Sequence, residues 1–294
     1  MHPTQDKPDD LSRLRKDAME IFQSGLLSAD PAIAIQRHLK LCNNILTIGD
    51  LSFDLANFEE ILVIGAGKAS AAMAKELENI MGSKISRGII NVKYDHTANL
   101  NNIELIEAGH PIPDENGQAG AKKIFDVAKN AHEKTLIFCL ISGGGSALSP
   151  LPCEGISLAE KQETTKILLS CGARIHEINT IRKHLSLIKG GGLAKAAFPA
   201  TIISLILSDV VGDDLDIIAS GLTVPDTGTF KECKDIIESY NIAKKLPKNV
   251  LDHINIGCAG KVCETPKPFD PYFKRVHNII IGNNFNTLVK AKAK

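Results

Sequence analysis

Apolar and polar positions along this chain fall into two kinds of pattern, and the two alternate. Between residues 9 and 46, Leu11, Leu14, Met19, Ile21 and Phe22 recur at spacings of three and four, followed by Ile33, Ile35, Leu39, Leu41 and Ile45. That period predicts two helices, the second over Ala32–Leu46. Ser28-Ala29-Asp30-Pro31 stands between them as a stop and then a cap, with proline in the first turn. Continuous apolar runs at 61–64, 88–92, 103–107, 135–141 and 200–207 predict strands. Helical stretches over 68–82, 117–131, 157–173 and 179–198 separate them. Strands apolar on both faces, with helices between, are what a buried parallel sheet requires. The expected fold class is α/β, a doubly wound parallel sheet with helices on both faces. Ligands in such sheets sit at the C-terminal strand ends, so chemistry is sought in the loops after each apolar run.

The two ends of the chain read differently. Residues 1–8 are polar and are expected to form a disordered tail. Residues 225–265 predict two more helices, and Pro266, Pro268 and Pro271 mark 266–276 as a linker. After it, His277–Gly282 has the pattern of a strand and Asn283–Lys294 that of the first turns of a helix. Such a pair cannot bury itself alone. The expectation is therefore a first domain over 9–265, with 277–294 opening a second, smaller α/β domain that is cut short.

Composition narrows the classes of function. An apolar fraction of 44% with 23% charged residues excludes disorder for most of the 294 residues. Thirty-four Lys plus Arg against thirty-four Asp plus Glu leave no basic excess for nucleic acid or an anionic membrane. No apolar run reaches the ~20 residues of a spanning helix, and Met1–Lys7 lacks the apolar core of a signal peptide. A cytoplasmic protein with free thiols is expected from its seven cysteines, an odd and scattered set in which only Cys258 and Cys263 lie close. Trp is absent and aromatics make up 4%, which argues against a stacking platform for single-stranded nucleic acid.

Five loops carry candidate chemistry. Gly65-Ala66-Gly67-Lys68-Ala69-Ser70 lies between a strand and a helix, where glycines let a ligand approach and the helix start offers unpaired N–H groups. It fits neither the dinucleotide fingerprint, which needs glycine at Ser70, nor the phosphate loop, whose glycines stand further apart. The plain alternative is a tight turn with a solvated Lys68. Ser142-Gly143-Gly144-Gly145-Ser146 follows the most apolar strand, and such a loop suits cradling phosphate oxygens. A flexible turn is the alternative; a nucleophilic serine would call for a different elbow. In Asn179–Ser186 and the following Lys189-Gly190-Gly191-Gly192, Arg182 can grip a carboxylate or phosphate bidentately and Lys189 supplies a point charge, unless both belong to a solvated basic face. Asp209, Asp213 and Asp214 end another strand and could hold Mg²⁺ or orient a hydroxyl, though Asp213 and Asp214 would also serve as helix caps. His110, in Gly109–Asp114, either faces the same cleft or sits in a bland turn. Phosphate cradles, cations and carboxylates on one sheet edge, without a Ser–His pair or a metal-thiolate site, suit phosphoryl transfer.

In their order, these stretches resemble the glycerate 2-kinase family, whose members are often labelled hydroxypyruvate reductase. The matching segments are VIGAGKAS at 63–70, GHPIPDENG at 109–117, LISGGGSAL at 140–148, INTIRKHLSLIKGGGLA at 178–194 and SDVVGDDLDIIASG at 208–221. The resemblance implies a Rossmann-like N-terminal domain, a smaller C-terminal domain and an active site between them. It also implies transfer of the γ-phosphoryl group of MgATP to D-glycerate, giving 2-phosphoglycerate and ADP. By the same resemblance Lys68 matches the lysine proposed as catalytic, and Asp209 the aspartate that activates the hydroxyl or binds Mg²⁺. Ser142–Ser146 match the loop that holds phosphates or substrate; Arg182 and Lys189 match the cationic segment. The chain departs at Gly192, where an arginine is usual, and at Leu222, where a proline is usual. NAD(P)H-dependent reduction of hydroxypyruvate and a non-catalytic nucleotide- or anion-binding module are the competing readings, and a homodimer stays open.

Overall fold

Residues 8–294 are described by a computed structural model; the expected tail lies outside the described residues except for Pro8, which opens α1 (Pro8–Ser28). Asp30 caps α2 (Pro31–His38), its carboxylate accepting from the Ile33 amide at 3.0 Å, with Pro31 in the first turn. The helix expected to run to Leu46 ends at His38. Beyond it, β1 (Leu39–Cys42), β2 (Ile45–Ile48) and β3 (Leu51–Asp54) form an antiparallel meander. Cys42 pairs with Ile45 across the two-residue turn Asn43-Asn44, and Ile48 pairs with Leu51 across Gly49-Asp50. Asn43 and Gly49 take φ values of 55° and 57°, the left-handed backbone that such tight hairpins need. These turn signals override the helical spacing.

The main sheet holds β4 (Glu60–Ala66), β5 (Arg87–Lys93), β6 (Ile103–Ala108), β7 (Thr135–Ile141), β8 (Thr201–Leu207) and β9 (Val276–Gly282). Its six strands run parallel in the order β6-β5-β4-β7-β8-β9. Renumbered within the sheet this is 3-2-1-4-5-6, the doubly wound order whose direction reverses between the first and fourth strands. The α/β expectation therefore holds. Alternate residues of the buried strands feed two cores. Val63, Phe138, Leu140, Ile203 and Leu205 pack against α2 and α3 (Ser70–Met81). On the other face, Leu62, Ile64, Ile137, Cys139, Ile141 and Ile202 pack against α4 (Glu115–Lys129) and α8 (Gly192–Ala197).

The short α5 (Gly145–Leu148) follows β7. A satellite cluster joins α6 (Leu158–Ser170), α7 (Ile175–His184), α9 (Phe230–Ser239) and α10 (Lys248–Cys258). The stretch expected as one helix over 179–198 is thus two, α7 and α8, broken at the glycines. None of the described helices is long and apolar enough to cross a membrane.

One expectation is corrected. Residues 277–294 do not open a separate domain: β9 is the sixth strand of the main sheet, with Ile202 to Ile206 in register against Val276 to Ile280. The helix after it, α11 (Asn284–Ala293), lies on α1, where the Ser24 hydroxyl donates to the Lys290 carbonyl at 3.1 Å. β9 is the edge strand beside β8, so the proline-rich segment before it is part of a crossover between neighbouring strands of one sheet.

Candidate active site

Reversal of strand order between β4 and β7 separates the chain ends of these two strands, and the loops after them form the floor of a cavity of about 220 Å³. Lys68 and Ala69 come from the β4–α3 turn, Ser142 and Gly143 from the loop after β7, and Ser208 and Asp209 from the loop after β8. The two central loops are stitched together. The Lys68 amide donates to the Gly143 carbonyl at 3.0 Å, and the Ser142 hydroxyl accepts from the Ala69 amide at 3.0 Å. Glycine is needed here because of close approach. A β-carbon at Gly65 would stand 2.1 Å from the Leu140 carbonyl oxygen, and one at Gly67 2.0 Å from the Ser142 hydroxyl. Gly65 and Gly67 are therefore what lets the turn fit.

Ser142 is buried, and its hydroxyl ties the loop to the β4–α3 turn. Ser146 anchors the other end, its hydroxyl 2.9 Å from that of Ser220 and 3.0 Å from the Lys189 ammonium. The glycines between them differ. Gly145 donates to the Ser142 carbonyl at 3.2 Å, whereas the amides of Gly143 and Gly144 have no protein acceptor among the described residues. Gly144 takes φ 87°, and a side chain there would strike the His110 ring at 2.9 Å and come to 3.4 Å from the Lys68 chain. Two open N–H groups next to the Lys68 side chain are the donor set an anion-binding concavity uses. Burial, with the Lys68 charge second, lowers the His110 pKa, so that ring is neutral near pH 7.

The cationic segment lies elsewhere. Lys189 is 2% exposed and spends its ammonium on the Ser146 carbonyl at 2.8 Å and the Ser146 hydroxyl. It supports the glycine loop from beneath, away from the cavity. Half-buried Arg182 has no carboxylate partner among the described residues, and burial lowers its pKa. With them sits Lys161 on α6, buried, its ammonium donating to the Leu185 carbonyl at 3.0 Å. Burial first, and the Arg182 charge in addition, push Lys161 down to about 7. Lys183, the other cation of this helix, is buried in an ion pair with Asp226 at 3.2 Å and in a second with Asp216.

The two candidate Mg²⁺ ligands are not equivalent. Asp209 is exposed at the cavity, while Asp213, at φ 57°, accepts a hydrogen bond from the Asn283 side-chain amide. No group of three or more His, Cys, Asp or Glu is placed to hold a metal among the described residues. A single carboxylate still fits Mg²⁺ that arrives on substrate phosphates and keeps several waters. Ser220 and Ala219, at φ 57° and 51°, put two non-glycine residues in left-handed backbone where the loop meets Ser146, a strained turn beside the site.

Sequence reading missed the fourth wall of the cavity, made by Asn283, Asn284 and Thr287 at the start of α11. The signal was present: Gly282-Asn283-Asn284 is one more polar turn between a strand and a helix, with Asn283 as its cap, accepting from the Asn286 amide at 2.8 Å.

A family profile described as a domain of unknown function, DUF4147, matches residues 17–255. The chain is 43% identical over 271 residues to a protein of Pyrococcus horikoshii named glycerate 2-kinase, covering 92% of this chain and 60% of that one. A crystal structure of a P. horikoshii protein superposes with a TM-score of 0.87 at 42% identity, over 95% of this chain and 62% of the other. A crystal structure of glycerate kinase from Thermotoga maritima does so with 0.81 at 35%, over 96% and 62%. The chain thus spans about 60% of the length of the first of these relatives.

Proposed function

Because the chain belongs to the DUF4147 family, we propose that it carries the phosphoryl-transfer half of a glycerate 2-kinase, taking the γ-phosphoryl group of ATP to the 2-hydroxyl of D-glycerate. One observation carries the reading: Gly143 and Gly144, whose amides are open, lie against the Asp209 carboxylate and the Lys68 side chain at the switch point of the sheet. Few other chemistries need two free N–H donors, one cation and one carboxylate together.

In this reading Lys68 and the two glycine amides face the transferred phosphoryl group and offset the charge that spreads over its oxygens. Asp209 accepts the proton of the attacking 2-hydroxyl or holds Mg²⁺, which when bound neutralises the nucleotide phosphates. His110, neutral near pH 7, donates one hydrogen bond to a substrate oxygen without adding charge. Gly65 and Gly67 keep the β4–α3 turn close enough for Lys68 to reach; Ser142 and Ser146 fix the ends of the glycine loop. Lys189 and Arg182 act through that loop, by position and by a positive field. The reaction products would be 2-phosphoglycerate and ADP, and the cytosol and a homodimer remain part of the proposal.

The test is product formation from MgATP and D-glycerate, with enolase coupling to separate 2-phosphoglycerate from 3-phosphoglycerate. Formation of 2-phosphoglycerate supports the reading, and unchanged turnover in Lys68→Ala removes that residue from it. Consumption of NADH with hydroxypyruvate would support a reductase in its place. Nucleotide binding without turnover would leave a binding module.

A further inference from the structure

Asn91 is the one polar residue in the apolar run of β5, and it is fully buried. It sits beside the end of β4, paired with Ala66, and its carbonyl accepts from the Gly67 amide at 3.1 Å. Its side-chain amide donates twice, to the Gly117 carbonyl at 2.9 Å and to the Leu148 carbonyl at 2.7 Å. Gly117 belongs to the first turn of α4, whose cap Asp114 ends the His110 loop; Leu148 ends α5, which carries Gly145 and Ser146. One residue thus touches the Lys68 turn through its backbone, and through its side chain the first turn of the helix after the His110 loop and the end of the helix after the glycine loop.

The other half of the side chain is unusual. Among the described residues its side-chain oxygen, Oδ1, has no hydrogen-bond partner, and it faces Gly120 so closely that a β-carbon there would stand 2.0 Å away. A buried acceptor without a donor is costly, and an apolar side chain would avoid that cost. Only the two donated bonds account for asparagine at this place.

We infer that Asn91 is a positioning residue of the phosphoryl-transfer site, fastening the Lys68, His110 and glycine loops at one fixed spacing. It touches no substrate. The inference rests on the proposed kinase reading for its kinetic consequences, but the fastening itself is independent of that reading.

The experiment compares Asn91→Ala and Asn91→Asp with Ile124→Ala, a packing loss on the same helix α4. Hydrogen exchange is followed at the amides of 117–120 and 143–148 in each folded protein. Faster exchange in both segments together in Asn91→Ala, and not in Ile124→Ala, is the expected result. Equal exchange in the two variants overturns the inference whether or not the chain phosphorylates glycerate. With turnover established for the unaltered chain, kcat of Asn91→Ala should fall tenfold or more, in the range of a misplaced reacting group, about 10²-fold per ångström, with KM little changed. The isosteric Asn91→Asp donates one bond when protonated and none when ionised. Its kcat should fall as pH rises, along a limb the unaltered chain lacks. A flat profile, or kcat equal to that of the unaltered chain, overturns the kinetic part alone.

Discussion

The carboxylate of Asp209 packs against the α-carbon of Gly143 so closely that a β-carbon on Gly143 would stand 2.1 Å from Oδ2. These residues belong to loops after different strands, β8 and β7, and nothing but glycine leaves room for the acid. Gly143→Ala should therefore displace Asp209 while leaving the buried strands alone. The expected outcome is a kcat loss of about 10- to 100-fold, read in the coupled assay. The thermal midpoint should move by no more than about 2 °C, because the displaced side chain is exposed.

Lys161 makes a prediction about pH. Its folded pKa, about 7, lies below the ordinary lysine value of 10.5, so the unfolded chain binds the extra proton between the two. Stability contributed by this group accordingly rises with pH from about 7 to 10.5, and is at its lowest below 7. Lys161→Met should be more stable than the unaltered chain at pH 6.5. That advantage should shrink steadily toward pH 10, as measured by urea unfolding at each pH. A constant difference would mean that Lys161 keeps an ordinary pKa.

Replacing Lys183 by methionine should have the opposite effect on stability, although the slope with pH has the same sign. Lys183 is buried against buried Asp226, whose carboxyl loses solvation on burial and is nonetheless held below its usual pKa by the Lys183 charge and the Thr265 hydroxyl. Lys183→Met leaves that acid without its main partner and should cost about 3–5 kcal/mol. Since the folded pKa of Asp226 is depressed, the stability it contributes is present above its unfolded value near 3.8 and is lost as pH falls below it. The gap between the two proteins should then narrow on acidification, visible in acid titrations followed by circular dichroism.

Asn283 joins two jobs that substitution can separate. Asn283→Ala removes the cap of α11 and should cost about 1 kcal/mol. Asn283→Asp still accepts from the Asn286 amide but sets a second carboxylate against Asp213. It should hold thermal stability better than the alanine variant, yet raise KM for MgATP as the loop of Asp209 and Asp213 loosens. Equal KM values for the two variants would separate this loop from nucleotide binding.

The strands and the chemistry of their following loops were legible because a parallel sheet imposes doubly apolar runs, and because glycine next to lysine or serine has few other uses at a strand end. Lys68, the glycine loop and Asp209 are singled out that way, and the structure places them on one cavity. What sequence left hidden depended on pairings far apart in the chain. Nothing local tells that the ammonium of Lys189 is satisfied by Ser146, or that Lys183 belongs to Asp226 and Arg182 to no acid. Leu39–Ile45 read as helix because its apolar spacing fits both periods, and only the turn at Asn43-Asn44 decides between them. The domain boundary at 266–276 failed for a related reason. Prolines mark a change of direction, and a crossover inside one sheet changes direction as sharply as a linker does.

That crossover has a consequence for synthesis. Between Leu207 and Val276, 68 residues separate two strands that lie side by side. At about 5–20 residues per second, the ribosome needs several seconds to deliver β9 after β8 is complete. For that interval one edge of β8 offers unpaired backbone and apolar side chains, the combination other strands add to. Only when Asn283 follows β9 into place is the loop of Asp209 held from both sides. Among the described elements that wall the cavity, α11 leaves the ribosome after the loops that follow β4, β7 and β8.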